Sequence, residues 1–446
     1  MTVLGWMTDP PPAPALVDAA TGHVLDYREL ADRVSSLAEM MRRPRKSLVI
    51  CLCRPDVDTA LVYLASLYAG HAVLLTSVAR PESAAVLAER LGATFVVGPH
   101  CQIQDLKQHG DVHPDLAVLL ATSGSTGNAK YVRLSRAAID ANAAQITSAL
   151  DLNATARAVQ SLPLHYSYGL SVLNSHLHAR GSIMFSGHGL VTRRFWADVR
   201  AHECTGLAGV PYSFTIMDRI GFSGMELPAL RTVTHAGGRM AKEAIVRYAT
   251  LMAERGGRFY SMYGQTEATA RMSVVPWTHA VTKAGTIGVP IPHGNFDIAE
   301  DGELVYRGPN VMMGYAESAS DLALGDVTAG SLHTGDLGQR DKDGFYRIVG
   351  RKSRIAKIAG YRINLDDVEA VATTSPMVAV EHNEQIVIVR EREASGMSAE
   401  ELSRHVGEFV GLPSRFFRVE DVDALPMTGS GKVDLPAVSE GVVQSS

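Results

Sequence analysis

Helical and strand-like segments alternate through the first part of the chain, and this alternation limits the chain to a few folds. Apolar residues recur at helical spacing in three segments, and short apolar runs that indicate buried strands separate them. Helices are predicted over 26–38, 58–68 and 83–91, and strands over 47–53, 72–75 and 93–97. This order is typical of a parallel sheet covered by helices, because parallel strands need a crossover connection. A similar rhythm over 137–262 predicts a second region of this kind.

The character of the sequence changes after about Gly285. Glycine and proline become frequent and short strands such as 303–306 stand between turns, which predicts a small β-barrel-like section. Further on, the chain predicts a helix over 365–373, a strand over 385–389, a helix over 399–410 and a frayed tail over 440–446. At 446 residues the chain exceeds a single core, which stops growing near roughly 250–300 residues.

We therefore expect an α/β protein of two domains. The large N-terminal domain, 1–350, holds helix-covered, mainly parallel sheets and the barrel-like section. The C-terminal domain, 351–446, is a small, mobile α+β unit.

Charge and composition exclude several classes of protein. The 42 basic and 47 acidic residues give a net charge of −5 without a basic block, so neither nucleic acid nor an anionic membrane is an expected partner. The longest apolar stretch, 60–75, is interrupted by Gly70 and His71, which argues against a membrane span. The N-terminus lacks a signal-peptide pattern and four cysteines are too few for a disulfide framework, so we expect a cytoplasmic protein.

A dense polar loop follows the predicted strand 116–120. Residues 122–130, Thr-Ser-Gly-Ser-Thr-Gly-Asn-Ala-Lys, combine four hydroxyls, two glycines and a lysine. Glycines let backbone N–H groups approach an anion, hydroxyls add donors and the lysine supplies charge, so the loop predicts phosphate binding; a plain surface loop is the alternative. It is not a Walker A loop, because Gly127 and Lys130 are three residues apart.

This loop resembles the phosphate loop of the adenylate-forming superfamily, which includes acyl-CoA synthetases, peptide-synthetase adenylation domains and firefly luciferase. Five further segments resemble motifs of that family, in the family's order. They are Tyr263-Gly-Gln-Thr-Glu267, residues 302–315, Thr334-Gly-Asp336, residues 350–363 and residues 425–432. The resemblance covers nearly the whole chain.

The resemblance implies binding of ATP and Mg²⁺ and a role for each matching residue. The β- and γ-phosphates would be cradled by Thr122, Ser123, Gly124, Ser125, Thr126, Gly127 and Lys130. Adenine would be flanked by Gly237, Gly238 and Tyr263, and the ribose bound by Asp336 and Arg351. Thr266 and Glu267 would reach the α-phosphate and Mg²⁺, Lys432 would bridge the acid and the α-phosphate, and Lys357 and Gly360 would flank a thiol tunnel.

The chain departs from the family pattern at two places. Ser353 stands where the family has a hinge aspartate, and Tyr166 stands where it has a histidine. No aspartate marks an ammonium site near Tyr166, which disfavours an α-amino acid as substrate. The expected acid pocket contains Tyr166, Ser167, Tyr168, Tyr212, His235 and Met262, and the alternative for each aromatic residue is that it packs the core.

The resemblance thus implies a ligase that adenylates a small carboxylic acid, releases pyrophosphate and passes the acyl group to coenzyme A or to the phosphopantetheine of an acyl carrier protein. Two alternatives stay open: a ligase whose second step uses an amine or whose acid is not carboxylic, and a non-catalytic nucleotide-binding relative. Intact Lys130, Glu267, Asp336 and Lys432 argue against the second.

A panel of acids tests the substrate class. Because no aspartate marks an ammonium site, pyrophosphate exchange is expected with aryl or aliphatic acids and not with the proteinogenic amino acids. Strong exchange with any α-amino acid, together with none for simple acids, would contradict this expectation.

Overall fold

A computed structural model of the chain describes residues 2–77, 81–121, 130–358, 361–371, 377–392, 397–410, 412–428 and 433–444. Three parts of the predicted site lie outside these ranges: the loop 122–129, Gly360 and Lys432.

The described elements follow one another in chain order. The first are β1 (Pro14–Asp18), β2 (His23–Asp26), α1 (Tyr27–Met40), β3 (Leu48–Cys53), α2 (Val57–Tyr68), β4 (Ala72–Ser77), α3 (Pro81–Leu91), β5 (Phe95–Val97), β6 (Ile103–Asp105), β7 (Leu116–Ala121), β8 (Tyr131–Ser135) and α4 (Arg136–Ala149). Next come β9 (Arg157–Val159), α5 (Ser167–His178), β10 (Ser182–Phe185), α6 (Arg193–Ala201), β11 (Gly206–Gly209), α7 (Pro211–Arg219), β12 (Thr232–His235), α8 (Lys242–Glu254), β13 (Arg258–Tyr263), β14 (Ser273–Val275) and β15 (Val289–Pro290). The last are β16 (Asn295–Ile298), β17 (Glu303–Arg307), β18 (Gly314–Ala316), β19 (Ser331–Arg340), β20 (Tyr346–Arg351), β21 (Ile355–Ile358), β22 (Tyr361–Asn364), α9 (Leu365–Ala370), β23 (Met377–His382), β24 (Gln385–Glu391), α10 (Ala399–Val410), β25 (Phe417–Val422) and α11 (Leu435–Gln444).

Side-chain caps explain where the early helices begin. Asp26 accepts hydrogen bonds from the backbone N–H groups of Arg28 and Glu29, at 2.9 and 2.8 Å, and α1 starts at the next residue. Asp56 caps α2 in the same way through Thr59 N, at 3.0 Å. Each cap satisfies backbone donors that have no partner inside the helix.

Two large sheets form the body of the chain. One has the strand order β18-β8-β7-β4-β3-β5-β6 and the other β15-β14-β13-β12-β11-β9-β10-β1-β2. Their central strands are parallel, whereas the edge pairs β5–β6, β8–β18, β13–β14 and β1–β2 are antiparallel. The predicted helix-covered parallel sheets are confirmed, with the refinement that both sheets are mixed at their edges.

The later sheets are small. Strands β16-β17-β19-β20 form the curled antiparallel section predicted after Gly285, and the C-terminal part contains the sheets β21-β22 and β23-β24-β25. Two sequence predictions were wrong there. Helix α9 ends at Ala370 rather than near 373, and the predicted frayed tail is helical to Gln444, because Val438 and Val442 lie one helical turn apart and pack against the sheet residues Val378 and Val380.

A buried arginine joins the edge strand β18 to β8. Arg133 is 1% exposed, and its guanidinium donates to the carbonyls of Tyr315, Leu324, Met313 and Gly325 at 3.0, 2.5, 3.0 and 3.2 Å. These four acceptors satisfy the charged group, although burial lowers the pKa of Arg133. The side chain therefore acts as an internal clamp on the segment 313–325.

Replacing this clamp tests its contribution to stability. Arg133→Met keeps the volume but leaves carbonyls without donors, so the free energy of unfolding should fall by about 2–4 kcal/mol in urea denaturation. The control is Arg33→Met, which removes an exposed i,i+4 pair with Glu29 and should change stability by less than about 0.5 kcal/mol. Equal effects for the two variants would contradict the clamp.

Candidate active site

The predicted nucleotide residues lie where the central parallel strands of the nine-stranded sheet end. Strand β13 ends at Tyr263, and a single helical turn, Thr266–Ala268, follows it. Neighbouring strand β12 ends at His235, directly before Gly237 and Gly238. Carboxyl ends of parallel strands meet at one edge of a sheet, which is where α/β proteins bind ligands.

The buried carboxylate of Asp336 organises this edge. Asp336 is 1% exposed and accepts a hydrogen bond from the hydroxyl of Tyr263 on Oδ2. Gln265 Nε2 donates to the same oxygen at 3.1 Å, and Arg351 Nε lies 2.8 Å from Oδ1. Burial and the charge of Asp336 raise the pKa of Tyr263 well above its ordinary value, so Tyr263 stays a neutral donor. The structure thus brings together Tyr263, Asp336 and Arg351, which are 88 positions apart at most in the sequence numbering.

These contacts fill most of the capacity of Asp336. An ionised carboxylate has about four acceptor positions, and protein donors occupy three of them. One position is open to a ribose hydroxyl, and a second becomes open only when Gln265 or Arg351 moves. Gln265 had no predicted role, because its place in the motif is the variable one.

A buried glutamate holds the turn that carries Asp336. Glu303 Oε1 accepts from the backbone N–H of Gly335 at 2.9 Å, and Gly335 has a φ of +71°. Glu303 Oε2 contacts His333 Nδ1 and Lys352 Nζ, each at 3.0 Å. Burial by itself raises the pKa of Glu303, but the hydrogen bonds from His333, Gly335 and Lys352 outweigh it and hold the pKa below its ordinary value. The sequence placed Glu303 within a motif and gave it no role.

The turn after β13 contacts two neighbouring elements. Thr266 Oγ1 lies 3.0 Å from Ser167 Oγ at the start of α5. Glu267 is half-buried, and its Oε1 accepts from the hydroxyl of Tyr315 at 3.0 Å. Thr266 and Glu267 are therefore fixed in position from two sides.

Lys130 is the described end of the predicted phosphate loop. Its Nζ lies 3.1 Å from Glu317 Oε1, and both side chains are about half exposed, at 50% and 52%. Strands β8 and β18 pair Tyr131 with Ala316, which places the two charged residues side by side. A carboxylate of the protein thus holds the lysine that the sequence assigns to phosphate.

Gly237 and Tyr166 lie against each other. Gly237 has a φ of +84°, and a Cβ atom there would stand 2.4 Å from the Tyr166 hydroxyl. Only glycine fits this position without moving the ring. A residue predicted beside adenine and one predicted in the acid pocket are therefore adjacent.

The structure divides the predicted acid pocket between two faces of the sheet. Tyr166, Tyr168 and Met262 belong to the cluster that includes α5. His235 packs edge-on against Phe214 of α7, with ring centroids 5.6 Å apart, on the opposite face. The physical reason is the alternation of side chains along β12, where Thr234 and not His235 faces Tyr168, at 2.7 Å between hydroxyls.

Two of the other predicted pocket residues differ strongly in exposure. Tyr212 is 47% exposed on the first turn of α7, whereas Tyr168 is 3% exposed. Burial lowers the pKa of His235 to about 4, so this side chain is neutral at pH 7. His235 thus faces the side of the sheet opposite to Tyr166, Tyr168 and Met262, and the shared acid pocket of the six residues stays a prediction.

At the predicted domain junction, the residue before Ser353 pairs with the earlier part of the chain and the residue after it pairs with the later part. Lys352 Nζ binds Glu303 as described and Asp301 Oδ2 at 2.7 Å, both earlier in the chain. Arg354 Nε binds Asp366 Oδ1 at 2.8 Å, later in the chain. Ser353 lies between these two sets of ion pairs. Of the thiol-tunnel residues, Lys357 lies in β21, and its side chain is outside the described part.

No group of three or more histidine, cysteine, aspartate or glutamate side chains in the described part of the chain could hold a metal ion. Glu267 is the described carboxylate that the sequence assigns to Mg²⁺. Mg²⁺ usually binds through one or two carboxylates plus substrate phosphates and water, so a single carboxylate fits such a site. Within the described ranges, no helix is both long and apolar enough to cross a membrane.

Comparisons with known proteins agree with this geometry. The family model of AMP-binding enzymes matches residues 102–316. The oxalate–CoA ligase of Arabidopsis thaliana is 29% identical over 353 residues, covering 74% of this chain and 68% of the relative. The feruloyl-CoA synthase of an Amycolatopsis species is 26% identical over 411 residues, covering 85% and 80%. The crystal structure of ATP-bound MatB from Rhodopseudomonas palustris has the same fold, with a TM-score of 0.79, 21% identity and 99% coverage of both chains.

The fold, the buried aspartate beside the β13 turn and these matches define one class of protein. Over residues 102–316 the chain matches the AMP-binding enzymes, which belong to the adenylate-forming superfamily. The curated relatives compared above are acid–CoA ligases.

Removing the charge of Glu303 tests its hold on the Asp336 turn. A group with a depressed pKa stabilises the fold above its ordinary value of 4.5, and this contribution is lost as the pH falls through the folded-state pKa. Glu303→Gln should therefore lower stability at pH 7 by about 1–3 kcal/mol, the usual worth of hydrogen bonds to a charged group. The difference in Tm between wild type and variant should shrink as the pH falls below 4.5.

Asp297→Asn is the matched control, because Asp297 is exposed and pairs with Arg307 at 2.9 Å on the same small sheet. It should leave the Tm nearly unchanged at both ends of the pH range. A Glu303→Gln difference that stays constant with pH would show that the ionised form of Glu303 is not what holds the turn.

Proposed function

We propose that the chain is an AMP-forming ligase that adenylates a carboxylic acid with ATP, releases pyrophosphate and passes the acyl group to the thiol of coenzyme A. The observation that carries this proposal is the buried Asp336 network directly beside the Thr266–Glu267 turn. Such an arrangement offers a ribose acceptor, an aromatic ring and phosphate-directed side chains at one strand edge. The similarity to AMP-binding enzymes and to acid–CoA ligases supports the same reaction.

The nucleotide would bind across the ends of β12 and β13. Tyr263 and the Gly237–Gly238 segment would flank adenine, and Asp336 with Arg351 would bind the ribose. Support for this comes from the close approach of Gly237 to the Tyr166 ring, which only a glycine allows, and from the acceptor position of Asp336 that no described donor fills.

The phosphates would lie toward Lys130 and the loop 122–129. The Lys130–Glu317 ion pair is exposed, so phosphate oxygens can replace the Glu317 carboxylate at low cost. Glu267 would hold Mg²⁺, which supplies Lewis-acid stabilisation of charge on the phosphates. Tyr315, which donates to Glu267, would keep that carboxylate turned toward the phosphates.

The first step forms an acyl-adenylate. A carboxylate oxygen of the acid attacks the α-phosphorus, and the bond from that phosphorus to the bridging oxygen breaks to release pyrophosphate. Negative charge develops on the α-phosphate oxygens, where Thr266 and Lys432 would stabilise it. Ser167 would orient the Thr266 hydroxyl through their contact at 3.0 Å.

The second step transfers the acyl group. The thiol sulfur attacks the acyl carbon, the carbon–oxygen bond to AMP breaks, and AMP leaves with the electron pair. Lys357 and Gly360 would flank the path of the thiol. A carrier-protein phosphopantetheine carries the same thiol chemistry as coenzyme A, and an amine acceptor is the remaining alternative for this step.

The two steps would use two orientations of the domains 1–350 and 351–446. Lys352 is paired with the first part of the chain and Arg354 with the second, so a rotation at Ser353 would keep both of these ion pairs. A hinge needs permissive backbone angles rather than an acidic side chain. Rotation at Ser353 would withdraw Lys432 and admit the thiol.

The compartment and partners follow the same reasoning. A net charge of −5 without a basic block disfavours nucleic acid, and the ordinary compartment for an ATP- and CoA-dependent ligase of this composition is the cytoplasm.

Product analysis tests the proposed function. The purified chain is incubated with Mg-ATP and one acid at a time, with and without coenzyme A, and pyrophosphate, AMP and thioester are measured. Acid-dependent pyrophosphate release followed by CoA thioester is the expected result. Acyl-adenylate without thioester would point to the carrier-protein or amine acceptor, and the absence of AMP with every acid would overturn the proposal.

A single substitution separates the two half-reactions. Lys432→Ala removes a contact made mainly in the adenylation transition state, so acid-dependent pyrophosphate release should fall by ~10²-fold or more. The same variant, given synthetic acyl-adenylate and coenzyme A, should form thioester at close to the wild-type rate. Quench-flow measurement of each half-reaction decides the point.

The matched control is Lys342→Ala, because Lys342 is exposed in the turn between β19 and β20. It should leave both half-reactions unchanged. If Lys432→Ala slows both steps alike, the lysine serves binding or folding, and the two-orientation mechanism has no support.

A further inference from the structure

A cavity of about 280 Å³ lies between α5 and the nine-stranded sheet. Its walls include Ala158 of β9, Val172 and His176 of α5, and Thr234 of β12. Its mouth lies at the opposite strand ends from the nucleotide edge, near Arg258 at the start of β13. None of the residues that the sequence assigned to the acid pocket lines it.

Arg271 lines this cavity and is 2% exposed. Within the described part of the chain, no carboxylate lies within 4.0 Å of its guanidinium. Its Nε has no hydrogen-bond partner there, and Nη1 reaches only the weakly accepting Met262 Sδ, at 3.8 Å. The guanidinium lies over the ring of Tyr168, 4.8 Å from the ring centre.

The buried positive charge of Arg271 has few compensating partners in the described part of the chain. Burial lowers the pKa of Arg271 to about 10, and so the side chain still carries its charge at neutral pH. Arg133 is buried to the same degree but donates to four carbonyls. A buried cation without an anion or sufficient acceptors is costly, and a ligand that brings an anion removes the cost.

The other polar groups around the cavity do not supply that anion. His176 donates through Nδ1 to Val172 O at 2.9 Å, and burial lowers its pKa to about 4, which keeps it neutral. At the mouth, Asp151 is paired with Arg258 at 3.1 Å, and Arg231 adds a further positive charge. The field inside the cavity therefore favours a negative group.

Arg271 is also linked to the adenylation edge. It follows Glu267 by four residues, and the ring that it covers, Tyr168, comes directly after Ser167, which contacts Thr266. Arg271 O accepts from Asn142 Nδ2 and Asn310 Nδ2, at 2.9 and 3.1 Å, which fixes its backbone. Arg271 thus lines the cavity and also contacts the ring next to Ser167, the residue that contacts Thr266.

We propose that the acid substrate carries a second anionic group, which Arg271 binds inside the sheet-side cavity while the reacting carboxylate faces Thr266. This inference rests on the proposed function and narrows the substrate class to dicarboxylic acids and other acids with a remote anion. Arg271 then sets specificity by charge, and the apolar wall from Ala158 and Val172 contacts the linking carbons. The rival explanation is that Arg271 only supports the Tyr168 ring.

Matched acids separate these explanations. Adipate is compared with hexanoate and with monomethyl adipate, and terephthalate with benzoate, by pyrophosphate exchange. The wild-type kcat/KM should be at least ~10-fold higher for the diacid of each pair. Arg271→Met should lower kcat/KM for the diacid by ~10²-fold, mainly through KM for the acid, and remove the preference. Arg271→Lys should restore part of it, and KM for ATP should not change.

Thermal unfolding provides a readout that does not need turnover. A preferred diacid alone should raise the Tm of the wild type and not of Arg271→Met. Ligand-free Arg271→Met should be as stable as the wild type or more stable, because a poorly paired buried charge is gone. A lower Tm with an equal loss for all acids would make Arg271 a support for the core and overturn the proposal.

Arg255→Met is the matched control. Arg255 also lies over an aromatic ring, Phe222, at 5.2 Å, but it binds backbone carbonyls and does not line the cavity. Its replacement should leave the ratio of diacid to monoacid unchanged. Equal use of both acids by the wild type overturns the role of Arg271 and leaves the ligase function standing. Exchange with no acid overturns the ligase function, and the Tm shift with the diacid then still decides the role of Arg271.

Discussion

The buried carboxylate of Asp336 is the constraint on which the rest of the site depends. Its oxygens are satisfied in the interior because donors converge on them from β13, from Gln265 directly before the next turn and from β20. The nine-stranded sheet and the curled antiparallel section must therefore both be correctly assembled for this carboxylate to meet its donors. Glu303 extends the same logic one layer outward, since it fixes the backbone of Gly335 beside the carboxylate. The arrangement of the site therefore depends on the packing of both sheets.

Two buried arginines illustrate how surroundings assign a role to a side chain. Arg133 and Arg271 are 1% and 2% exposed, yet the first meets four carbonyls and the second meets a sulfur and a ring face. The first is satisfied by the protein and holds an edge strand. Arg271, in contrast, lacks such acceptors from the described part of the protein, and it lines a cavity in which the anionic group of a ligand could pair with it.

Much of the fold could be predicted because its signals are local. The helix that begins after Asp26 is indicated by the periodicity of its apolar residues and by its capping side chain. The strand that ends at Cys53 is indicated by a short apolar run, and both signals involve residues close in sequence. Register is not local. The sequence grouped His235 with Tyr168, but the pleat of β12 turns Thr234 toward Tyr168 and His235 away from it. Only the position of the strand within the sheet decides which of two successive side chains faces the site.

Contacts between residues that are far apart in the sequence could not be predicted, for a related reason. Glu303 and Gly335 meet because β17 and β19 are neighbours, which the sequence does not state. The sequence does not predict the burial of Arg271, because arginine is usually exposed and its neighbours in sequence give no sign of burial. By contrast, the members of the motif Tyr263-Gly-Gln-Thr-Glu267 are close in sequence, and the structure places them at the end of β13 and in the turn that follows it.

The pairing of β7 with β8 has a consequence for the proposed binding of phosphate. Ala121 and Tyr131 are partners in an antiparallel ladder, so residues 122–130 connect two neighbouring strands of the sheet. After this segment the chain enters β8, and helix α4 starts only at Arg136. A Walker-type loop leads straight into a helix and gains from the partial positive charge at the helix N-terminus. Here a strand follows the predicted phosphate segment, so the proposed attraction for phosphate would come from individual donors and from Lys130, which pairs with Glu317.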